Sequence, residues 1–279
     1  MTAAQKIIKA CAFAFAVFLA VSIIGGIASA GYFGLTALDE IFDDEHKNEI
    51  SEASDKHTIT LSDLQSLEID VSVANVTIVN SSEDYLEFSD NAIKYEVLNG
   101  ELKLSDSPLS TGKEPVPSIK LSLNPDTLLK DVKLEIGAGK IDSKTIKCEE
   151  LEVDCDAGSF SAEELIVTIN ADFDIGAGNL TVKSGCFRDI DCDISAGGLN
   201  FVGRITGTAD FENDVGNSDI TLTGNKEDYR VKLEKRIGVT FFDGEKVLKD
   251  SSFGTGNAKI DIDSGAGKLN VTFEKSSGE

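Results

Sequence analysis

Carboxylates are the reactive groups that this chain sets in a regular pattern. Two acidic series recur along it: Asp70, Glu135, Asp154, Asp174, Asp193, Asp214 and Asp263 form one, and Glu68, Glu152, Asp172, Asp191, Glu212 and Asp261 stand two residues before members of the first. Paired acids can hydrolyse a glycosidic bond by general acid and base action. They can also hold a hard cation such as Ca²⁺, whose ligands are oxygens in flexible number. The candidate ligands are Asp154, Asp174, Asp193, Asp172 and Asp191. A hydrolytic pair is needed once, whereas these acids follow a repeat, as a structural face does. Neither a twelve-residue calcium loop nor a nonapeptide calcium repeat is present. Two readings of the series stand, one bridged by cations and one a solvated acidic face that resists aggregation.

The other reactive residue types are sparse. Histidine occurs only at His46 and His57, both in a polar stretch, and no nucleophile–base–acid arrangement, phosphate-binding loop or metal-ligand cluster is legible. The expectation is a protein that is not an enzyme, with no catalytic residues and no cofactor other than a cation on the acidic series. Cys11 lies in an apolar run, which leaves Cys148, Cys155, Cys186 and Cys192. Cys155 and Cys192 fall at positions otherwise held by Ile, Val, Leu and Phe, so they read as small buried hydrophobes. Their spacing from Cys148 and Cys186 is not that of the tight pairs of a zinc site. Free thiols are the reading, with a disulfide between non-adjacent repeats disfavoured by the Cα separation it requires.

What positions these residues is a phrase that returns every 19 to 21 residues: Gly137-Ala138-Gly139, Asp156-Ala157-Gly158, Gly176-Ala177-Gly178, Ser195-Ala196-Gly197, Gly216-Asn217-Ser218 and, after a jump, Gly265-Ala266-Gly267. An earlier copy is Ser72-Val73-Ala74, so the repeat begins near residue 60. Taking the third residue as zero, the minus seven, minus five and minus three positions are apolar: Val132, Leu134 and Ile136; Leu151, Val153 and Cys155; Ala171, Phe173 and Ile175; Ile190, Cys192 and Ile194. The acids fill minus six and minus four between them. Period two marks a half-buried strand. A second strand follows the turn, with Ile141, Phe160, Leu180, Leu199, Ile220 and Leu269 at plus two.

Two strands joined by a glycine turn and repeated at one period are the parts of a parallel β-solenoid, whose like side chains stack over a continuous core. The rival all-β reading is an antiparallel sandwich, which has no reason to repeat one phrase at a fixed period. The predicted fold class is therefore an all-β, β-helix-like parallel solenoid with repeats of about 19–21 residues, preceded by one N-terminal transmembrane helix. Its hand follows the right-handed crossover rule.

The amino terminus sets the compartment. Lys6 and Lys9 precede an uncharged run from Ala10 to Leu38, and the first acids are Asp39 and Glu40. A run of that length can span a bilayer, and the flanking charges put the amino terminus inside and the remainder outside. The alternative is cleavage near Ala30, because Ala28-Ser29-Ala30 fits a signal-peptidase pattern, and secretion would follow. The predicted organisation is an anchor over 1–38, an acidic stalk over 39–60 and the repeat domain over 61–279, irregular at about 225–253. A net charge of −23 argues against nucleic acid as a partner.

The sequence Leu67-Glu68-Ile69-Asp70 leading to Val76, with the serial phrases at Gly139, Gly158, Gly178, Gly197, Ser218 and Gly267, resembles the putative adhesin domains of bacterial envelope proteins. Those are β-solenoids of unknown function, often placed behind one membrane helix. The resemblance covers roughly residues 60 to 275 and departs from the family over 225–253. It implies a non-enzymatic envelope role, with the membrane and an envelope protein or glycan as partners, and it supplies no catalytic residue. The alternative is an accessory of envelope-stress signalling. The segment Met1–Lys9 is too short for an output domain, so a signal would need a membrane partner.

Overall fold

The computed structural model describes residues 57–61, 63–88, 93–106 and 116–274, with backbone alone at 57, 58, 235 and 236. All of these belong to one compact unit, Ser54–Glu279. The apolar run and His46 lie outside the described residues. No helix among the described residues is long and apolar enough to cross a membrane.

The described chain is all-β, as the period-two patterning predicts, with a single turn of 3₁₀ helix at Lys226–Asp228. Its strands are β1 (His57–Thr60), β2 (Ser66–Asn80), β3 (Tyr85–Phe88), β4 (Ile93–Leu98), β5 (Glu101–Asp106), β6 (Ser118–Leu123), β7 (Leu129–Val182), β8 (Gly185–Ile205), β9 (Thr208–Thr223), β10 (Tyr229–Phe242), β11 (Glu245–Val247), β12 (Ser251–Phe253) and β13 (Ala258–Glu274). His57–Thr60, read with the stalk, pair with β3. The long strands run parallel in the order β2, β7, β8, β9, β13, β10. Their register joins like positions: Leu180 meets Leu199, Phe173 meets Cys192, and Gly178 meets Gly197.

The turn glycines show why the period is fixed. Each of Gly139, Gly158, Gly178, Gly197, Gly216 and Gly267 has the carbonyl of the residue one repeat back where a Cβ would stand, from Ala74 O beneath Gly139 to Gly216 O beneath Gly267. Gly139, Gly197, Gly216, Gly238 and Gly267 also take φ between +140° and +156°, where a side chain is strained. The zero point of the β9 repeat is therefore Gly216, not Ser218. That correction puts Ser218 at plus two, opposite Leu199 and Leu269, and moves Ile220 to plus four.

Inward positions form the core. Val132, Leu134, Leu151, Val153, Ala171, Phe173 and Ile175 are all buried, as are Phe160, Leu180 and Leu199 beyond the turn. An aromatic row runs through it, Phe187 to Phe201 at 5.5 Å and Phe201 to Phe211 at 5.2 Å between centroids. Each such side chain contributes about 1.5–3 kcal/mol by burial. The corrected register also places a polar pair in this core, Asn213 donating from Nδ2 to Ser218 Oγ at 2.9 Å.

Residues 225–253 hold β10, β11 and β12. Gly238 aligns with Gly267, so β10 carries a turn at the repeat position without the phrase. Here sequence order and spatial order part: β13, the last of the described strands, lies between β9 and β10 and is hydrogen-bonded to both.

Candidate functional site

The acidic series become two neighbouring columns, but with altered membership. The minus-four column reads Asp70, Glu135, Asp154, Asp174, Asp193, Glu212, Asp263 and Glu234. Glu212 belongs here, not at minus six, and Asp214 leaves it. The minus-six column reads Lys103, Glu68, Lys133, Glu152, Asp172, Asp191, Asp210, Asp261 and Lys232. Asp210 was not in the sequence-derived series; its place follows only once Gly216 is the zero point.

Charge in the minus-six column is bridged at its ends. Lys103 meets Glu68 at 2.8 Å and Lys133 meets Glu152 at 3.1 Å, while Lys133 also reaches Glu135 in the neighbouring column at 2.8 Å. These two carboxylates push the Lys133 ammonium above its ordinary value. At the far end Lys232 lies 2.6 Å from Glu234. Between Lys133 and Lys232 the column is acidic throughout.

That middle stretch titrates accordingly. Partial burial, then the facing carboxylates of Asp191, Glu152 and Asp174, hold Asp172 above the usual carboxylate range. Asp193 is raised by burial and by Asp191 and Glu212, and Asp210 by burial and by Asp191 and Asp261. Asp154 and Asp70 are raised in the same way, with Asp174 and Glu135 as their leading charged neighbours. The candidate cation ligands Asp154, Asp174, Asp193, Asp172 and Asp191 thus share one face. Among the described residues, however, no group of three or more His, Cys, Asp or Glu is arranged to hold a metal ion. Ser72 closes one end of the face, its N–H and hydroxyl donating to the Asp106 carboxylate at 3.0 and 3.2 Å.

A second outward column escaped the sequence reading. Lys144 and Lys183 flank Glu163 at 2.8 and 3.7 Å, with alternating sign in place of like charge, and Lys144 leads in pulling Glu163 below its usual range. Its signal was the fixed offset of all three residues, five past Gly139, Gly158 and Gly178.

Among the described residues the cysteines are free, as read: Cys148, Cys155 and Cys192 are buried and Cys186 is exposed. Burial first, then nearby aspartates, pushes the thiols of Cys148 and Cys155 up to about 12 and raises that of Cys192 as well.

The fold and this face define an all-β protein with an in-register parallel ladder and a columnar acidic surface. No family model and no curated protein matches the chain. Among solved structures it is similar to a putative cell adhesion protein from Clostridium sporogenes, at 18% identity over 78% of this chain and 99% of that one, with a TM-score of 0.32. It is also similar to putative adhesins from Bacteroides fragilis and Parabacteroides distasonis, each at 14% identity over 77% of this chain and 95% of theirs, with TM-scores of 0.41 and 0.42.

Proposed function

We propose that this chain is a non-enzymatic, membrane-anchored, extracytoplasmic parallel β-solenoid that binds or scaffolds cell-envelope material in the manner of an adhesin. The observation that carries the reading is the minus-four column, eight carboxylates from Asp70 to Glu234 carried by six long strands, three of them on β7. Strands in a sheet stand about 4.8 Å apart, so the column is a regular array with no preferred point along it. Such a surface suits a repeating polymer better than a single small molecule. An envelope glycan is such a polymer, and its hydroxyl groups can donate to carboxylates.

Anchoring rests on the uncharged run from Ala10 to Leu38, with Lys6 and Lys9 before it and Asp39 and Glu40 after it. A chain net charge of −23 favours solubility of the exported part.

The test is retention of the full-length chain, reconstituted in membranes, on isolated cell-wall glycan. Comparison with D174N/D193N/E212Q, which neutralises the middle of the column, is decisive. Retention by the wild type and loss in the triple variant is the expected result. No glycan retention, together with one membrane protein co-purifying with both forms, would overturn this reading in favour of an accessory of envelope signalling.

A further inference from the structure

The break in strand order opens a cleft. The chain leaves β9 at Thr223 and enters β10 at Tyr229, and residues 224–228 between them pass the place that β13 fills, two strand spacings or about 10 Å. The return link 254–257 runs against them so closely that a Cβ on Gly256 would overlap the Asp228 carbonyl. At the start of β13 the Lys259 N–H donates to Gly207 O at 2.9 Å. Together these crossings form a cleft of about 450 Å³, a volume in the range of small-ligand sites. Its polar lining is Arg204 and Thr206 from the end of β8 and the link after it, Glu227 and Asp228 from the 3₁₀ turn, and Thr255 and Asn257 from the return link.

Tyr229 holds the walls in place. Its side chain is buried, its hydroxyl donates to Thr223 O at 2.6 Å and accepts the Ile205 N–H at 3.4 Å, and its carbonyl accepts the Gly256 N–H at 3.1 Å. One residue thus ties the ends of β8 and β9 and the return link to the start of β10, so the backbone carrying the lining groups is fixed before a ligand arrives. Charge of both signs stands uncompensated there. Arg188 pairs with Asp189 and Arg230 reaches Thr255 O, but Arg204 is in no ion pair among the described residues, and neither is Glu227 or Asp228. Burial raises the Tyr229 hydroxyl above its ordinary value, and the charges of Arg204 and Asp228 both reach it, with opposite effect. A guanidinium is a fork for a carboxylate, whereas two carboxylates suit an ammonium. A purely anionic ligand would be repelled by Glu227 and Asp228, and a purely cationic one by Arg204.

We infer that this cleft binds a zwitterion of the amino-acid type, its carboxylate on Arg204 and its ammonium on Glu227 and Asp228. The site is separate from the acidic columns and does not depend on the glycan reading.

Titration calorimetry of the full-length chain in mild detergent tests this with four probes: alanine, dialanine, N-acetylalanine and alaninamide. Alanine or dialanine should bind saturably, and the last two, each lacking one of the charges, about tenfold more weakly or not at all. R204Q should lower the affinity for the zwitterion by a similar factor, as should E227Q/D228N. These side chains are exposed, so the variants should melt with the wild type; if one melts early, the singly charged probes on the wild type still decide. Alanine binding at least as tightly as dialanine assigns the site to free amino acids, and tighter binding of dialanine assigns it to a peptide end. No saturable binding of either overturns the inference, as does equal binding of the singly charged probes or an unchanged affinity in R204Q.

Discussion

Gly197 and Gly198 stand side by side in β8 and face different neighbours. A Cβ at Gly197 would overlap the Gly178 carbonyl, at a φ of +155° that side chains rarely adopt. A Cβ at Gly198 would meet first the end of the Asn179 side chain, which can swing away. G197A should therefore cost roughly 3 kcal/mol and G198A less than about 1, read by chemical denaturation. Equal losses would mean that the close approach of successive turns is not what fixes the repeat. Thiols give a second residue-scale test. With Cys148, Cys155 and Cys192 buried and raised in pKa, a thiol reagent at neutral pH should label Cys186 alone among the four, and all four only after unfolding.

The acidic columns make their prediction at the scale of the strands. Asp70, Asp154, Asp172, Asp193 and Asp210 have folded pKa values above the ordinary 3.8, so the fold binds these protons more tightly than the unfolded chain. Their ionisation destabilises the fold above the raised values, and that penalty is relieved as pH falls through them toward 3.8. Glu163 and Asp189 are depressed, so their stabilisation is lost only as pH falls through values below the ordinary 4.5 and 3.8. The melting temperature should accordingly rise on acidification from pH 7 into the carboxylate range and turn down below it. Because the columns face solvent, added salt at pH 7 should raise it too. A melting temperature that falls steadily from pH 7 would contradict this account. At matched ionic strength, calcium and magnesium should act alike on melting, since no three acids among the described residues are set for one metal. A calcium-specific rise would mean that the columns are bridged.

At the scale of the whole described unit, the placement of β13 matters most. It supplies inner-edge partners for both β9 and β10 although it follows both in the chain. A chain ending at residue 256 would keep β10 without the strand it docks on, whereas one ending at 224 would lose β10 and β13 together. Limited proteolysis should trim the first to a core ending near Thr223 and leave the second uncut within β7–β9. If residues 229–242 are protected in the longer truncation, β10 docks without β13 and the threaded order is not a folding constraint.

The sequence alone determined the all-β class, the inward and outward faces, the burial of Cys155 and Cys192 and the existence of an acidic surface, because alternation and a fixed period are local properties of the chain. Tertiary structure alone decided which repeat sits beside which. A strand shifted by two residues keeps every side chain on its proper face, so alternation could not distinguish Gly216 from Ser218 as the turn of β9; the close approach of Gly216 to the Gly197 carbonyl could. For the same reason Glu212 and Asp210 found their columns only in the assembled sheet. The order β9, β13, β10 was likewise beyond reach of the sequence, since adjacency along the chain carries no information about which strand completes another's hydrogen bonds.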